Sequence, residues 1–391
     1  MRFGTTLILA AALFAAPFST SAVARVVTDS AGRTVTVPDT VRRVFPAGPP
    51  ASVAVYVLAP EKLAGWTRAP RPADAPYLAA AARALPEIGR LTGGGEVDLG
   101  RLVAAKPDLI VDFGTVDDRY RALADRVQAE TGIPYVLIDG SLDGTPKELR
   151  LLGDILGVPR RGETLAAAGE EILAATDAVV ARVPAGRRPK VYLARGPDGL
   201  ETAAPGSIVA EILARAGAVN AAAGMHERAG HAAVTPEQVA AWAPDTIVTL
   251  DEGFFADVGD DPVWRSVPAV AGGRVFLSPG RPFGFVDMPP SVNRLIGLVW
   301  LTHLLHPAEA EGDPGTAVRD FYRLFYQVEL SDAALAELMG RCAIRRTCSS
   351  AGSRAAAGGR PGRGRRPSPS TRRRRAGSSC RNWSRSAPRP P

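Results

Sequence analysis

The sequence predicts an α/β protein made of two Rossmann-like lobes joined by a long rigid α-helix. Three observations predict it. Strand-like and helix-like apolar runs alternate through the body of the chain, one helix-corner-strand unit occurs twice, and an unbroken helical pattern lies between the two copies.

The chain opens with Met1 and Arg2, an apolar run from Thr6 to Phe18 and small residues ending Ala22-Val23-Ala24. A short basic start, an apolar centre and a small-residue cleavage site predict a signal peptide over residues 1–24, and hence a periplasmic protein. The apolar run is too short to span a bilayer comfortably, and no Cys stands near the cleavage site to carry a lipid.

A first lobe is expected over residues 25–161. It begins with a hairpin, Val26-Val27-Thr28 and Thr34-Val35-Thr36-Val37 about the turn Asp29-Ser30-Ala31-Gly32. The repeated unit appears first as Leu102-Val103-Ala104-Ala105-Lys106-Pro107-Asp108-Leu109-Ile110-Val111. It returns 137 residues later as Val239-Ala240-Ala241-Trp242-Ala243-Pro244-Asp245-Thr246-Ile247-Val248. In each copy Pro closes a helix and the strand that follows is apolar on both sides, as in a parallel sheet covered on both faces.

The connecting helix is expected over residues 162–184, from Gly162 through Val183 to Pro184. It is rich in Ala, Glu and Leu, which keep most of their rotamer freedom in a helix. Twenty-two residues reach roughly 33 Å, enough to run along one lobe and enter the next. A second lobe is then expected over residues 185–340, each lobe with a core of its own, starting at the strand Lys190-Val191-Tyr192-Leu193-Ala194.

Residues 341–391 are a different kind of sequence. They hold 15 Arg and no Lys, Asp or Glu, together with all three cysteines, Cys342, Cys348 and Cys380. The net charge of +7 therefore misleads, because the chain before this tail has 32 basic residues against 40 acidic. The tail reads as disordered, either a non-native appendage or an arm attracted to phosphate. No specific nucleic-acid partner is expected of the body.

The opening hairpin, the paired Lys-Pro-Asp and Ala-Pro-Asp strands, the connecting helix and the segment Pro289-Pro290-Ser291-Val292-Asn293-Arg294-Leu295-Ile296-Gly297 together resemble the helix-backbone (class III) periplasmic binding proteins, with a Fe/B12-type domain. The resemblance covers about residues 26 to 338. It implies an extracytoplasmic receptor, expected as a monomer, that delivers its solute to the permease of an ABC importer. The solute it implies is an iron complex or related metal chelate, or in one branch the oxyanion molybdate or tungstate.

Ligands of open α/β sheets sit beyond the carboxyl ends of the strands, and three such loops stand out. In Pro46-Ala47-Gly48-Pro49-Pro50-Ala51-Ser52, Gly48 and Pro50 introduce a helix start that is either an anion site or a tight connection. Beyond Val111, Thr115 offers a hydroxyl and Tyr120 an apolar face with a polar tip. Arg195 emerges from an apolar strand, which suits a carboxylate or oxyanion ligand, or else a structural ion pair with Glu201 or Asp198. In Ser278-Pro279-Gly280-Arg281-Pro282-Phe283-Gly284-Phe285, the resemblance places the loop near the ligand, with Phe283 and Phe285 able to exclude water from a chelate. It also implies one permease-docking glutamate per lobe. Glu237 matches in the second lobe, while Gly100 stands at the first-lobe position and Glu96 is the nearby substitute.

His226, His231, His303 and His306 form no tight ligand motif and have no Cys partner in the body, so no metal site is expected. There is no GxSxG elbow, no HExxH and no body Cys to act as nucleophile. The expectation is a binding protein with no catalytic residue and no cofactor; the enzyme alternative is an exported hydrolase.

Overall fold

The computed structural model of the protein describes residues 24–94, 98–226 and 230–340. All but the last residue of the predicted signal peptide, the predicted tail, and Glu96 lie outside them. No described helix is long and apolar enough to cross a membrane.

Strands β1 (Ala24–Thr28) and β2 (Thr34–Pro38) pair antiparallel. Asp29 holds their turn: its Oδ1 accepts from the N–H groups of Ala31 at 3.0 Å and Arg33 at 2.9 Å, while Gly32 takes the positive φ of 74°. Its Oδ2 accepts from the N–H of Leu137, which fastens the hairpin to the first sheet. That sheet is parallel in the order β3 (Val44–Pro46), β4 (Leu109–Gly114), β5 (Tyr135–Asp139). The second lobe contains β6 (Lys190–Ala194), β7 (Glu201–Ala203), β8 (Val219–Asn220), β9 (His231–Ala233), β10 (Thr246–Thr249) and β11 (Val275–Leu277). Its main sheet is parallel in the order β11-β10-β6-β8, with β7 and β9 forming an antiparallel pair beside it.

The repeated unit folds alike in both lobes. Helices Leu99–Ala104 and Pro236–Trp242 lead into corners where Lys106 and Ala243, each just before Pro, adopt positive φ of 47° and 46°. Left-handed backbone at residues bearing a Cβ costs about 1–2 kcal/mol. The following Asp offsets that cost by tying the corner to the neighbouring strand. Asp108 accepts from the N–H groups of Arg42 at 2.8 Å and Arg43 at 3.0 Å, and Asp245 accepts from Lys190 N–H at 2.8 Å.

The connecting helix runs Pro159–Ala181, starting three residues before the expected Gly162. Proline is well tolerated at a first helical position, where its missing N–H has no partner to lose. Helix Thr145–Ile155 crosses it at Gly153 and Gly162, where a Cβ on Gly153 would stand 2.8 Å from Gly162 Cα. Helix Arg294–Leu305 also packs along it, so two helices connect the lobes. Arg294, fully buried, donates to Gly140 O of the first lobe and Ile208 O of the second, and pairs with Glu211 at 3.2 Å.

The expectation of two separate cores needs correction. One cluster covers the outer face of the first sheet (Ile110, Val127, Leu137) and another that of the second (Ile247, Phe254, Trp264). The largest runs through both lobes, joining Val111 and Ile138 to Leu193 and Val248 by way of Leu165, Leu173 and Leu295. The two connecting helices are buried between the inner faces, so their apolar stripes belong to both lobes at once. The chain then crosses back: Tyr56 Oη donates to Tyr326 O at 2.7 Å, within the π-helical turn Tyr322–Tyr326, and Tyr77 Oη donates to Ala334 O at 3.2 Å.

Candidate functional site

A cleft of about 1210 Å³ opens between the lobes. It is lined by the segments that follow β3 and β4 in one lobe and β6, β10 and β11 in the other, all at carboxyl ends of strands. Of the residues singled out in the sequence, the fold brings Pro50, Thr115, Tyr120, Arg195 and Phe283 to its wall.

Gly48 and Phe285 do not line the cleft, and both expectations are corrected. Gly48 caps helix Pro49–Leu58, and a Cβ there would lie 2.4 Å from Thr92 Oγ1, so glycine is needed for the Thr92 loop to close over it. Of the two alternatives left open at that helix start, the anion site is weakened by its own sequence. Pro49 and Pro50 fill the first two helical positions and carry no N–H, and the N–H of Ser52 is already bound to Gly48 O at 3.2 Å. Phe285 is fully buried in the shared core beside Tyr322, with its carbonyl packed where a Cβ on residue 297 would fall. Only Gly284 separates it from Phe283, but the loop there is bent, not extended. Glu237 stands exposed in the first turn of its helix, its carboxyl held below the usual range by its own backbone N–H and by Thr235.

The second-lobe wall is a network of charge. Arg195 Nε binds Glu201 Oε1 at 2.9 Å, the structural pairing the sequence left open, and Arg195 also forms an ion pair with Asp287. Asp287 is buried, with a side chain only 3% exposed, whereas that of Glu201 is 45% exposed. His231 stands 3.5 Å from Glu201 and 3.9 Å from Asp287. Burial, then the positive charge of Arg195, pushes its pKa below the ordinary histidine value against the pull of Glu201. The guanidinium at this wall is thus already neutralised.

The first-lobe wall holds Asp112, which lies inside β4. It is 6% exposed and lines the cleft. Its Oδ1 accepts from Thr92 Oγ1 at 3.2 Å and its Oδ2 from Tyr135 Oη at 3.1 Å. Burial raises its pKa to about 6 against those two hydrogen bonds and one from the backbone N–H of Phe113.

Between these walls lies an aromatic floor. Trp66 and Phe283 line the cleft with ring centroids 5.9 Å apart, and Tyr56 and Tyr326 support them from behind. Trp66 Nε1 donates to Ala82 O at 2.8 Å, which fixes the indole. Ser52 and Thr67, hydroxyls 3.2 Å apart, lie beside it. Arg68 and Arg90 stand exposed on the first-lobe rim. Sequence reasoning missed Trp66, Asp112 and Asp287. Asp112 left a signal, an acid placed after an otherwise wholly apolar strand; the other two left none.

His303 and His306 are structural: His303 Nδ1 lies 2.8 Å from Val299 O, and buried His306 has Nε2 2.9 Å from Ala216 O. Among the described residues no three His, Cys, Asp or Glu side chains are grouped to hold a metal ion.

Residues 60–282 match the profile of the family described as periplasmic binding protein. An ABC transporter solute binding protein from Sulfurospirillum deleyianum is 28% identical and superposes with a TM-score of 0.74, over 81% of this chain and 99% of that one. The molybdate-binding protein MolA of Haemophilus influenzae is 26% identical over 360 residues, 82% of this chain and 96% of MolA. In its molybdate-bound structure MolA matches with a TM-score of 0.65 at 23% identity, over 78% of this chain and 99% of that one, a likeness of fold.

Proposed function

We propose that this chain, which belongs to the periplasmic binding protein family, takes up an anionic metal chelate of the ferric-siderophore kind in its interlobe cleft. It has the class III fold and is the extracytoplasmic solute-binding component of an ABC importer, a transport role and not a catalytic one. The observation that carries the chelate reading is the distribution of charge. A small dianion taken out of water needs uncompensated donors around it. Here the cation set into the wall, Arg195, is balanced by Glu201 and Asp287, and Arg68 and Arg90 lie out on the rim. A larger ligand reaches both the rim arginines and the floor of Trp66 and Phe283, and the cleft has room for it.

In this reading Pro50, Thr115, Tyr120 and Phe283 contact the solute, and Arg195 meets it as a member of its carboxylate network. Glu237 docks on the permease. A second reading, molybdate or tungstate, is favoured by the similarity to MolA and by the paired hydroxyls of Ser52 and Thr67. Native mass spectrometry of the protein with ferric citrate, a ferric catecholate and tungstate separates the two. Retention of a ferric complex supports the first reading, and retention of tungstate alone overturns it in favour of the second.

A further inference from the structure

We propose that Asp112 is a ligand-contacting residue that takes up a proton from solvent as an anion enters the cleft and donates it in a hydrogen bond to an anion oxygen. The inference rests on the reading of the solute as anionic, and holds equally for a chelate or an oxyanion.

The argument starts from position. Asp112 is in the middle strand of the first sheet, two residues before its carboxyl end, where the parallel sheet delivers side chains to the interlobe space. Both faces of that strand are apolar up to this residue, so a carboxylate there has been brought into the buried part of the lobe. An ionised carboxyl in such a place needs a cation or several donors. It has the neutral hydroxyls of Thr92 and Tyr135 and the backbone N–H of Phe113, and among the described residues no ion pair reaches it. This differs from Asp287 on the opposite wall, which is equally buried but faces Arg195.

The groups around Asp112 do not supply the missing charge. Tyr135 faces it from β5, and behind that ring stand Tyr120, from helix Asp118–Thr131, and Arg33, from the hairpin. Arg33 is itself engaged with Asp29 and Asp125. Thr92 faces it from the loop that follows Arg90, and the guanidinium of Arg90 lies out beside Gly93 and Gly94. Across the cleft, Arg195 and His231 are held by Glu201 and Asp287.

An anion arriving beside an ionised Asp112 meets like charge in a low-dielectric wall, which costs several kcal/mol at short range. Protonation removes that repulsion and turns an acceptor into a donor. The carboxyl already sits at about 6, so the proton is available near neutral pH. Thr92 and Tyr135 keep the group oriented, since each hydroxyl can keep its contact to one oxygen while the acid proton points to the ligand. The proton comes from bulk water or buffer, one per anion bound, and returns there when the anion leaves.

The test is titration calorimetry of the full-length protein with tungstate and with ferric citrate, from about pH 6.5 to about pH 8.5, in buffers of different ionisation enthalpy. Tungstate keeps the same charge across this range, so its pH dependence reports on the protein. Affinity is expected to fall about tenfold for each pH unit as the proton must be drawn from an ionised Asp112, with close to one proton taken up per anion. Asp112→Asn keeps a donor without titrating, so its affinity changes less than about twofold over the range. Tyr135→Phe removes one hydroxyl that favours the ionised form, and moves the onset of the fall to higher pH; this keeps the test decisive should the first variant not fold. Anions that bind without proton uptake and with a flat profile overturn the role of Asp112 while leaving the anionic reading intact. Neither probe binding at any pH overturns both.

Discussion

Replacing Arg195 by alanine strands a carboxylate. The guanidinium holds two acids of very different exposure, Glu201 at 45% and Asp287 at 3%. Released from Arg195, Glu201 turns to water, and loss of that half-exposed pair is worth no more than about 1 kcal/mol. Asp287 has no such exit. Breaking a buried pair by removing one partner costs about 3–5 kcal/mol, because the remaining charge stays desolvated. Urea unfolding of Arg195→Ala should therefore show an unfolding free energy lowered by that amount, as a lower midpoint with an unchanged slope. Asp287→Asn leaves Arg195 its contact with Glu201 and should cost less. In the double variant no charge is stranded, so it should be at least about 2 kcal/mol more stable than the sum of the single losses requires. A loss below about 1 kcal/mol for Arg195→Ala, or additivity within about 0.5 kcal/mol, refutes the view of this wall as a neutralised buried pair.

Three further outcomes follow from the same geometry. Asp112 has a folded pKa of about 6 against an ordinary value of 3.8, so the folded state binds its proton more tightly. The stabilisation this brings is fully present below the ordinary value and is lost as pH rises through about 6. It amounts to roughly 3 kcal/mol in all, of which about 2 kcal/mol falls between about pH 4 and about pH 7, read as the difference between unfolding curves of wild type and Asp112→Asn. Phe285→Ala should cost about 3–5 kcal/mol in unfolding with little direct effect on solute contact. Phe283→Ala, which opens the floor of the cleft, should weaken a ferric chelate at least about tenfold by fluorescence titration; equal losses of affinity in the two variants would contradict the placement of Phe285 in the core. Glu237→Ala should bind solute as wild type does and slow permease-coupled uptake in vesicles, and unimpaired uptake would remove Glu237 from the docking surface.

Much of the fold was legible in the sequence because its signals are local. The Pro-Asp corners at 107–108 and 244–245 mark helix ends and buried strands through φ restriction and a missing N–H, effects that need no distant partner. The uninterrupted Ala, Glu and Leu pattern marked the connecting helix to within three residues at its start, expected at Gly162 and found at Pro159, which serves as the first helical residue. The prolines at 49 and 50 were a signal left unused: their lack of N–H tells against a helix-start anion site, yet the sequence reading left that site open.

What tertiary structure decided is which charges meet. Arg195 and Asp287 are 92 positions apart in the chain, and nothing local to either distinguishes a neutralised pair from a free ligand-binding arginine. Phe283 and Phe285 carry the same side chain in the same loop, yet the bend between them sends one to the cleft and the other to the core. Asp112 became a buried acid because a loop 20 residues upstream closes over it and Tyr135 arrives from the next strand. The chain itself determined its elements and their order through backbone sterics and apolar periodicity. Burial and electrostatics are sums over neighbours brought together only by folding, and those sums set the character of the cleft.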